Sequence, residues 1–406
     1  MTWPLVPLGE LGADVPNACV GGPFGSELTT RDYVDAGVPV IRGTNLGEEG
    51  FVDDGFVLVS AAKAEALRQN QAHPGDVVFT QRGTIGQVAL IPHSARYPRY
   101  VISQSQMKLT PDLRRVEPRY LVHYFRSPRA LAHLQSNTLA TGVPHINLTI
   151  LRRMPVPLPT LAEQRRIADV LDRADDIRRK RKKAVTLTEE LLRSAFFDRF
   201  GDPVANPKGW PVRSITDLCA SKQYGTAEKA NTEGRGQPVL RMNNLSYGGE
   251  IDVTELKWVE LPTREREKLD LRDGDVLFNR VNSRELVGKT AVWHNGPGFT
   301  FAGYLIRLRM RQDIAGGDYV SYALNMPSIK ARLAQMAKPS INMANISGSD
   351  LDRLVIPVPP LKAQDEFAEF RRSVSALRER YHAMSSCGGE LFYSLVARAF
   401  SGGLAC

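Results

Sequence analysis

Val287-Gly288-Lys289-Thr290 has the ending of a phosphate-binding loop, in which backbone amides and a lysine cradle phosphate oxygens. The glycine that opens such a loop would fall at position 283, which is Ser283, and a matching stretch earlier in the chain, Ile85-Gly86-Gln87-Val88, has no lysine. Nucleotide binding is therefore not expected. An acidic pattern ending in lysine around Glu265 and Lys268 has the outline of a nuclease centre but sits in a run of alternating charges that reads as solvated surface. The seven histidines form no HExxH, and Cys19, Cys219, Cys387 and Cys406 lie far apart with no CxxC pair. Neither a metal centre nor a disulfide framework is expected. No F-x-G-x-G and no NPPY, DPPY or SPPY stretch occurs, so the apparatus of an amino methyltransferase is missing.

The remaining polar chemistry suits nucleic acid. Arginine and lysine serve phosphate and guanine, asparagine and glutamine serve adenine, and serine or threonine serve either. Such residues gather at turns: Arg42, Thr44 and Asn45; Gln81, Arg82 and Thr84; Arg96, Arg99 and Thr141. Later in the chain come Lys222, Gln223 and Tyr224; Arg241, Asn243 and Asn244; Arg280, Asn282, Ser283 and Arg284; Lys338, Ser340 and Asn342. A formal charge of +9, from 53 Lys plus Arg against 44 Asp plus Glu, favours a polyanionic partner without specifying it. With 42% hydrophobic and 24% charged residues over 406 positions, the chain is globular and long enough for two or three domains. The start, MTWPLVPLGELG, lacks a basic, apolar leader, and no stretch approaches the ~18 uninterrupted apolar residues of a membrane span. A cytoplasmic protein without a membrane partner is expected.

The elements that must hold these residues come in duplicate. VPVIRGTNL, with Pro39, Arg42 and Asn45, answers QPVLRMNNL, with Pro238, Arg241 and Asn244; PGDVVFT answers DGDVLFN; and VPLPTLAEQ, ending at Gln164, answers VPVPPLKAQ, ending at Gln364. Residues shared by the copies, such as Arg42 with Arg241 and Asn45 with Asn244, are expected to be framework or phosphate contacts. Two domains with different targets should differ where they read bases, which favours the divergent segments 222–224 and 280–284.

Within each copy the pattern changes once. PVIR, DVVFT and QVALI read as strands, while YLVHYFRS and LAHLQS read as helix, giving an α+β domain. After Pro159 about 40 residues pass without Gly or Pro, which is one long helix of roughly 60 Å. Ile167, Val170, Leu171, Ala174 and Ile177 lay an apolar stripe along it, and the second copy repeats this with Phe367, Phe370, Val374 and Leu377. The expected order is a domain over 1–160, a helix over 161–200, a second domain over 201–360 and a second helix over 361–406. A domain whose radius of gyration is only about 15 Å cannot bridge a helix length, so the helices should pair antiparallel as a coiled coil with pseudo-twofold symmetry. RRKRKK at Arg178–Lys183 is either a solvated helix face or a phosphate contact.

The Pro-rich entries PLPTLAEQRRI and PVPPLKAQDEF, the junction LLRSAFFDRFGDPVANPKGWP, and the segments GDVVFTQRGTIGQVA and TGVPHINL together resemble the specificity subunit of type I restriction-modification systems over essentially the whole chain. The second copy departs in carrying an insertion in VNSRELVGKTA and no Glu before Gln364. The resemblance implies two tandem target-recognition domains, each reading half of a bipartite double-stranded DNA site. It also implies helices that bind methyltransferase subunits and, with them, endonuclease/translocase subunits, the stripe residues above being the contacts. It implies no catalysis by this chain; S-adenosylmethionine, ATP and Mg would belong to the partners, and this chain would carry no cofactor. A different class remains as the alternative: a duplicated helical scaffold or regulatory protein that binds other proteins without reading DNA. An autonomous nuclease or methyltransferase is disfavoured by the missing motifs.

Overall fold

The computed structural model describes residues 3–138, 144–340 and 343–401. They form two compact units, one made of Met1–Lys183 with His382–Cys406 and the other of Ala184–Tyr381. Each unit holds one α+β head and a half of each long helix, Leu161–Phe200 and Leu361–Phe400.

In the first unit, four antiparallel strands lie in the order Val88–Leu90, Val77–Thr80, Gln106–Leu109, Cys19–Gly21. The second unit repeats the order as Thr290–Val292, Val276–Asn279, Leu305–Met310, Cys219–Tyr224. Register is repeated too: Phe79 pairs with Met107, and Phe278 with Ile306. A second sheet in each head joins Val38–Ile41 in parallel to Tyr100–Ile102, and Gln237–Leu240 in parallel to Thr300–Phe301. The strands expected from PVIR, DVVFT and QVALI are therefore present. Their apolar residues are buried on both faces, because the sheets pack against each other and against the helices Pro118–Phe125 and Gly317–Asn325.

Each head closes on itself before the long helix begins. Its entry strand pairs with its exit strand, Leu5–Pro7 with Pro155–Pro157 and Val212–Ser214 with Val355–Pro357. Tyr120 and Tyr319 donate their hydroxyls to the Pro157 and Pro357 carbonyls, at 2.6 and 2.7 Å. The glutamine of the repeated LAEQ and LKAQ phrases then ties head to helix. Gln164 accepts the Glu117 amide at 2.9 Å and donates to the Arg115 and Pro159 carbonyls; Gln364 accepts the Gly316 amide at 2.9 Å and donates to the Ile314 and Pro359 carbonyls. Both side chains are fully buried.

Within each unit the two long helices run antiparallel. In the first, Arg178 lies over the Phe392 ring and Arg181 donates to the Met384 carbonyl, so one number rises as the other falls. In the second, Glu189 pairs with Arg378 and Arg199 with Glu366. Tyr120 and Tyr124 meet Phe400 in the first core, and Tyr319 meets Phe196 and Phe200 in the second.

The expected apolar stripe splits into two rows. Ile167, Leu171, Phe367 and Val374 are buried in their own unit and cannot meet a partner protein, a correction to their expected role. The reason is geometric: in each unit this row faces the head and the other long helix at once. Val170, Ile177 and Leu377 are exposed (39%, 50% and 40%), and Ala174 and Phe370 are half-buried. The buried row also contains Asp175, a charge that Arg178 and Arg179 neutralise at 2.8 and 3.3 Å. In RRKRKK the three half-buried arginines serve as internal fastening, while the three lysines, Lys182 included, are exposed. Arg179 donates to the Glu49 carbonyl, Arg181 to that of Met384, and Lys182 pairs with Glu48.

The two heads sit on their helices with opposite polarity. In the first unit the head supplies Arg119, bonded to Asp169 and Asp172 of the helix at 2.8 Å each; in the second it supplies Asp318, paired with helix Arg371 at 3.2 Å. A histidine joins each cluster, His123 to Asp172 at 2.7 Å and His294 to Asp318 at 3.3 Å. Burial pushes both carboxyls up, but the histidine hydrogen bonds and the neighbouring arginines outweigh it and leave both below the ordinary range.

Two outcomes are expected. Gln164→Ala leaves one amide and two carbonyls without partners and should cost about 2–4 kcal/mol, read as lost amide-exchange protection in the first unit while 184–381 keeps its own. Because the folded pKa of Asp172 lies below its unfolded value, its stabilisation is present above about pH 4 and is lost as pH falls through the folded value. Asp172→Asn should therefore flatten the acid limb of first-unit stability, measured by urea midpoints across pH.

Candidate nucleic-acid interface

In both heads the polar candidates stand where buried strands end. Val77–Thr80 and Val276–Asn279 are buried along their whole length, and the chain emerges from them at Gln81 and Arg280. Val38–Ile41 and Gln237–Leu240 likewise deliver Arg42 and Arg241. Rigid strands hold the loop bases in place, so the tips are free to vary.

The second unit gathers Arg241, Asn243 and Arg280 around one cleft of ≈570 Å³, with Lys229, Val281 and Tyr304 completing much of its wall. The Arg280 guanidinium lies 5.3 Å from the centre of the Tyr224 ring, and the Tyr224 hydroxyl accepts the Gly348 amide at 3.0 Å. A side chain at Gly348 would collide with that hydroxyl, so glycine is needed for the approach. The Nε atoms of Arg241 and Arg280, and of Arg42 in the first unit, are buried without a hydrogen-bond partner among the described residues.

Several of the candidate residues are part of the framework. Asn45 accepts the Arg42 amide and donates to the Val52 and Asp54 carbonyls; Asn244 accepts the Arg241 amide and donates to those of Asp252 and Glu255. Both are buried with their amides fully engaged, so neither reads a base. Lys222 is paired with Asp352 at 2.5 Å and donates to the Gly348 carbonyl. Asn282 bonds Asn279 and the Ser283 amide, which shapes the loop rather than presenting an amide. Gln223 donates to the Tyr224 carbonyl. On the surface of the first head, Arg96 approaches Asp54 and Arg99 approaches Glu65, at 3.7 and 3.9 Å. Thr44, Arg82, Thr84, Asn243, Arg284 and Lys338 are exposed, and Arg42, Gln81, Arg241, Arg280 and Ser283 half-buried. Thr141 and Asn342, and the side chain of Ser340, lie outside the described residues.

Tyr304 and Lys229 of the cleft were not legible as site residues. Tyr304 is 50% exposed, and the one signal for it was positional, since it matches Ser105 in the other copy.

The VGKT stretch binds no phosphate. Lys289 is buried and donates to the Met242 and Leu245 carbonyls, and its burial lowers its pKa. Gly288 is a turn glycine with φ of +82° whose added Cβ would sit 2.8 Å from Leu333. Gly86, its match, has φ of +98° and would collide with Leu131. Burial pushes the Cys19 thiol up and that of Cys219 to about 12, which disfavours the thiolate form at both. Among the described residues, no group of His, Cys, Asp and Glu could hold a metal ion and no helix is long and apolar enough to cross a membrane.

Because Asn244 supports its loop from beneath, Asn244→Ala should lower stability by about 1–3 kcal/mol while leaving the salt dependence of DNA binding unchanged. Thermal unfolding and binding isotherms across salt concentrations measure the two effects separately.

The sequence matches the model of the type I restriction modification DNA specificity domain twice, over residues 30–187 and 207–378. The type I restriction enzyme EcoKI specificity subunit of Escherichia coli K12 is 23% identical over an alignment covering 99% of this chain and 89% of that one. The StySPI specificity subunit of Salmonella potsdam is 23% identical, covering 95% and 86%. A Methanocaldococcus jannaschii protein named as the MjaX specificity subunit is 32% identical, but the match spans only 40% of this chain and 39% of that one. The crystal structure of the type I restriction-modification S subunit from M. genitalium superposes with a TM-score of 0.62 at 15% identity, covering 98% and 96%. With a duplicated head, matching register and two domain matches over most of its length, the chain belongs to the type I restriction-modification DNA specificity family.

Proposed function

We propose that this chain is the non-catalytic reading subunit of a type I restriction-modification complex, and that it recognises a bipartite double-stranded DNA target with one half-site for each head. The observation that carries the reading is the contrast within the duplication. The two heads share strand order, register and buried supports, yet they differ at the tips where those strands end. A shared scaffold with divergent tips suits two readers of different sequences.

The helix row of exposed Val170, Ile177 and Leu377 with half-buried Ala174 and Phe370 fits contact with methyltransferase subunits. Endonuclease/translocase subunits would join through that assembly. The antiparallel pairing within each unit supports a coiled coil that relates the two heads by a pseudo-twofold axis and sets the unspecified gap between half-sites. S-adenosylmethionine, ATP and Mg would act on the partner subunits, and the complex would work in the cytoplasm, where the chromosome lies.

The test is exchange of residues 1–150 for the matching domain of a relative, in a chain co-expressed with its methyltransferase subunit, followed by sequencing of the methylated sites. One half-site should change while the other half and the gap stay. A change in both halves together, or protein binding without any DNA specificity, refutes the reading.

A further inference from the structure

Gln81 and Arg280 occupy one backbone position in two copies of the same head. The Gln81 amide donates to the Ser105 carbonyl at 2.7 Å and its carbonyl accepts the Ile146 amide at 3.0 Å. For Arg280 the partners are Tyr304 and Ile346, at 3.0 and 2.9 Å. Each residue follows a buried strand in the same register, and each next residue bridges the next segment in the same way, Arg82 to His145 and Val281 to Asn345. Two equal backbones therefore launch two different side chains from one place.

Neither side chain is consumed inside its unit. Gln81 makes no side-chain hydrogen bond among the described residues, and Arg280 meets no carboxylate there. The Arg280 guanidinium carbon lies 5.3 Å from the centre of the Tyr224 ring, its Nε is enclosed, and the side chain lines the cleft. A guanidinium held against an aromatic ring keeps its planar fork for a two-point acceptor. In the major groove that acceptor is the O6 and N7 pair of guanine, whereas a glutamine amide matches N6 and N7 of adenine.

We infer that position 81/280 is a base-reading position common to both heads, set to adenine by Gln81 in the first and to guanine by Arg280 in the second. The inference rests on the DNA-reading function proposed above and assigns a base pair to a residue within each half-site. Asn45 and Asn244, identical and buried, hold the neighbouring loop the same way in both heads. The difference in reading is thus confined to the side chain.

The experiment uses the full chain assembled with its methyltransferase subunits on randomised duplexes, with methylated motifs read by sequencing. The unaltered complex should require an A·T pair in the half-site of the first head and a G·C pair in that of the second. R280Q should move the preference at one position of the second half-site from G·C toward A·T, with discrimination between them shifting roughly ten- to hundredfold. The first half-site and the gap should be unchanged. Q81R should do the reverse in the first half-site. R280K keeps charge and volume but not the fork; it should retain overall DNA affinity and lose selectivity at that one position, which keeps the test decisive where R280Q fails to assemble.

Uniform weakening of all sequences by R280Q, with a salt slope shallower by about one, would make Arg280 a phosphate contact and overturn the inference. A bipartite motif left intact by R280K and Q81R also overturns it while leaving the proposed function standing. If the unaltered complex gives no bipartite motif, it is the proposed function that fails.

Discussion

A buried amide at the start of each long helix sets the frame of each unit. Gln164 and Gln364 lie at the one point where the head has closed its sheet and the chain turns into the helix, and each amide bonds two loop carbonyls and one loop N–H. An amide supplies donor and acceptor together, which a carboxylate or an apolar side chain of the same size cannot. Burial makes these bonds both stronger and costlier to leave unmade.

Around this point the two copies use different charges for the same purpose. Head Arg119 on helix Asp169 and Asp172 becomes head Asp318 on helix Arg371, each with a histidine alongside. Acidic hairpin turns add a second fastening, Glu48 and Glu49 on Lys182 and Arg179, and Glu250 on Arg378. Apolar and aromatic contacts are by contrast shared, with Tyr120 and Phe400 matched by Tyr319 and Phe200.

The same division between shared and divergent positions runs through the candidate interface. Buried supports such as Asn45 and Asn244 are identical because a loop carbonyl demands the same donor whatever the loop reads. Gln81 and Arg280 differ because what they meet is outside the chain. Conformational requirements act in the same way: Gly86 and Gly288 both turn with positive φ against a leucine, so the resemblance of VGKT to a phosphate loop comes from a turn and not from a ligand.

Much of the architecture was legible from sequence alone. The duplication, the α+β heads, the two long helices and the insertion in VNSRELVGKTA all rest on patterns local in the chain, namely strand alternation, turn residues and the absence of Gly and Pro over 40 positions. What these patterns cannot carry is which of two adjacent helix rows turns inward. Ile167 and Val170 are equally apolar and three residues apart, and only packing against the head buries one and exposes the other. Nor could they decide whether RRKRKK is a free basic face, or whether a candidate such as Lys222 is already engaged. Such side chains are claimed by partners near in sequence, as Arg178 is by Asp175, or far from it, as Lys222 is by Asp352, and a polar group's chemistry is decided by whether its hydrogen-bonding capacity is already filled. Tertiary structure alone filled it at Asn45, Asn244 and Lys222 and left it open at Gln81 and Arg280.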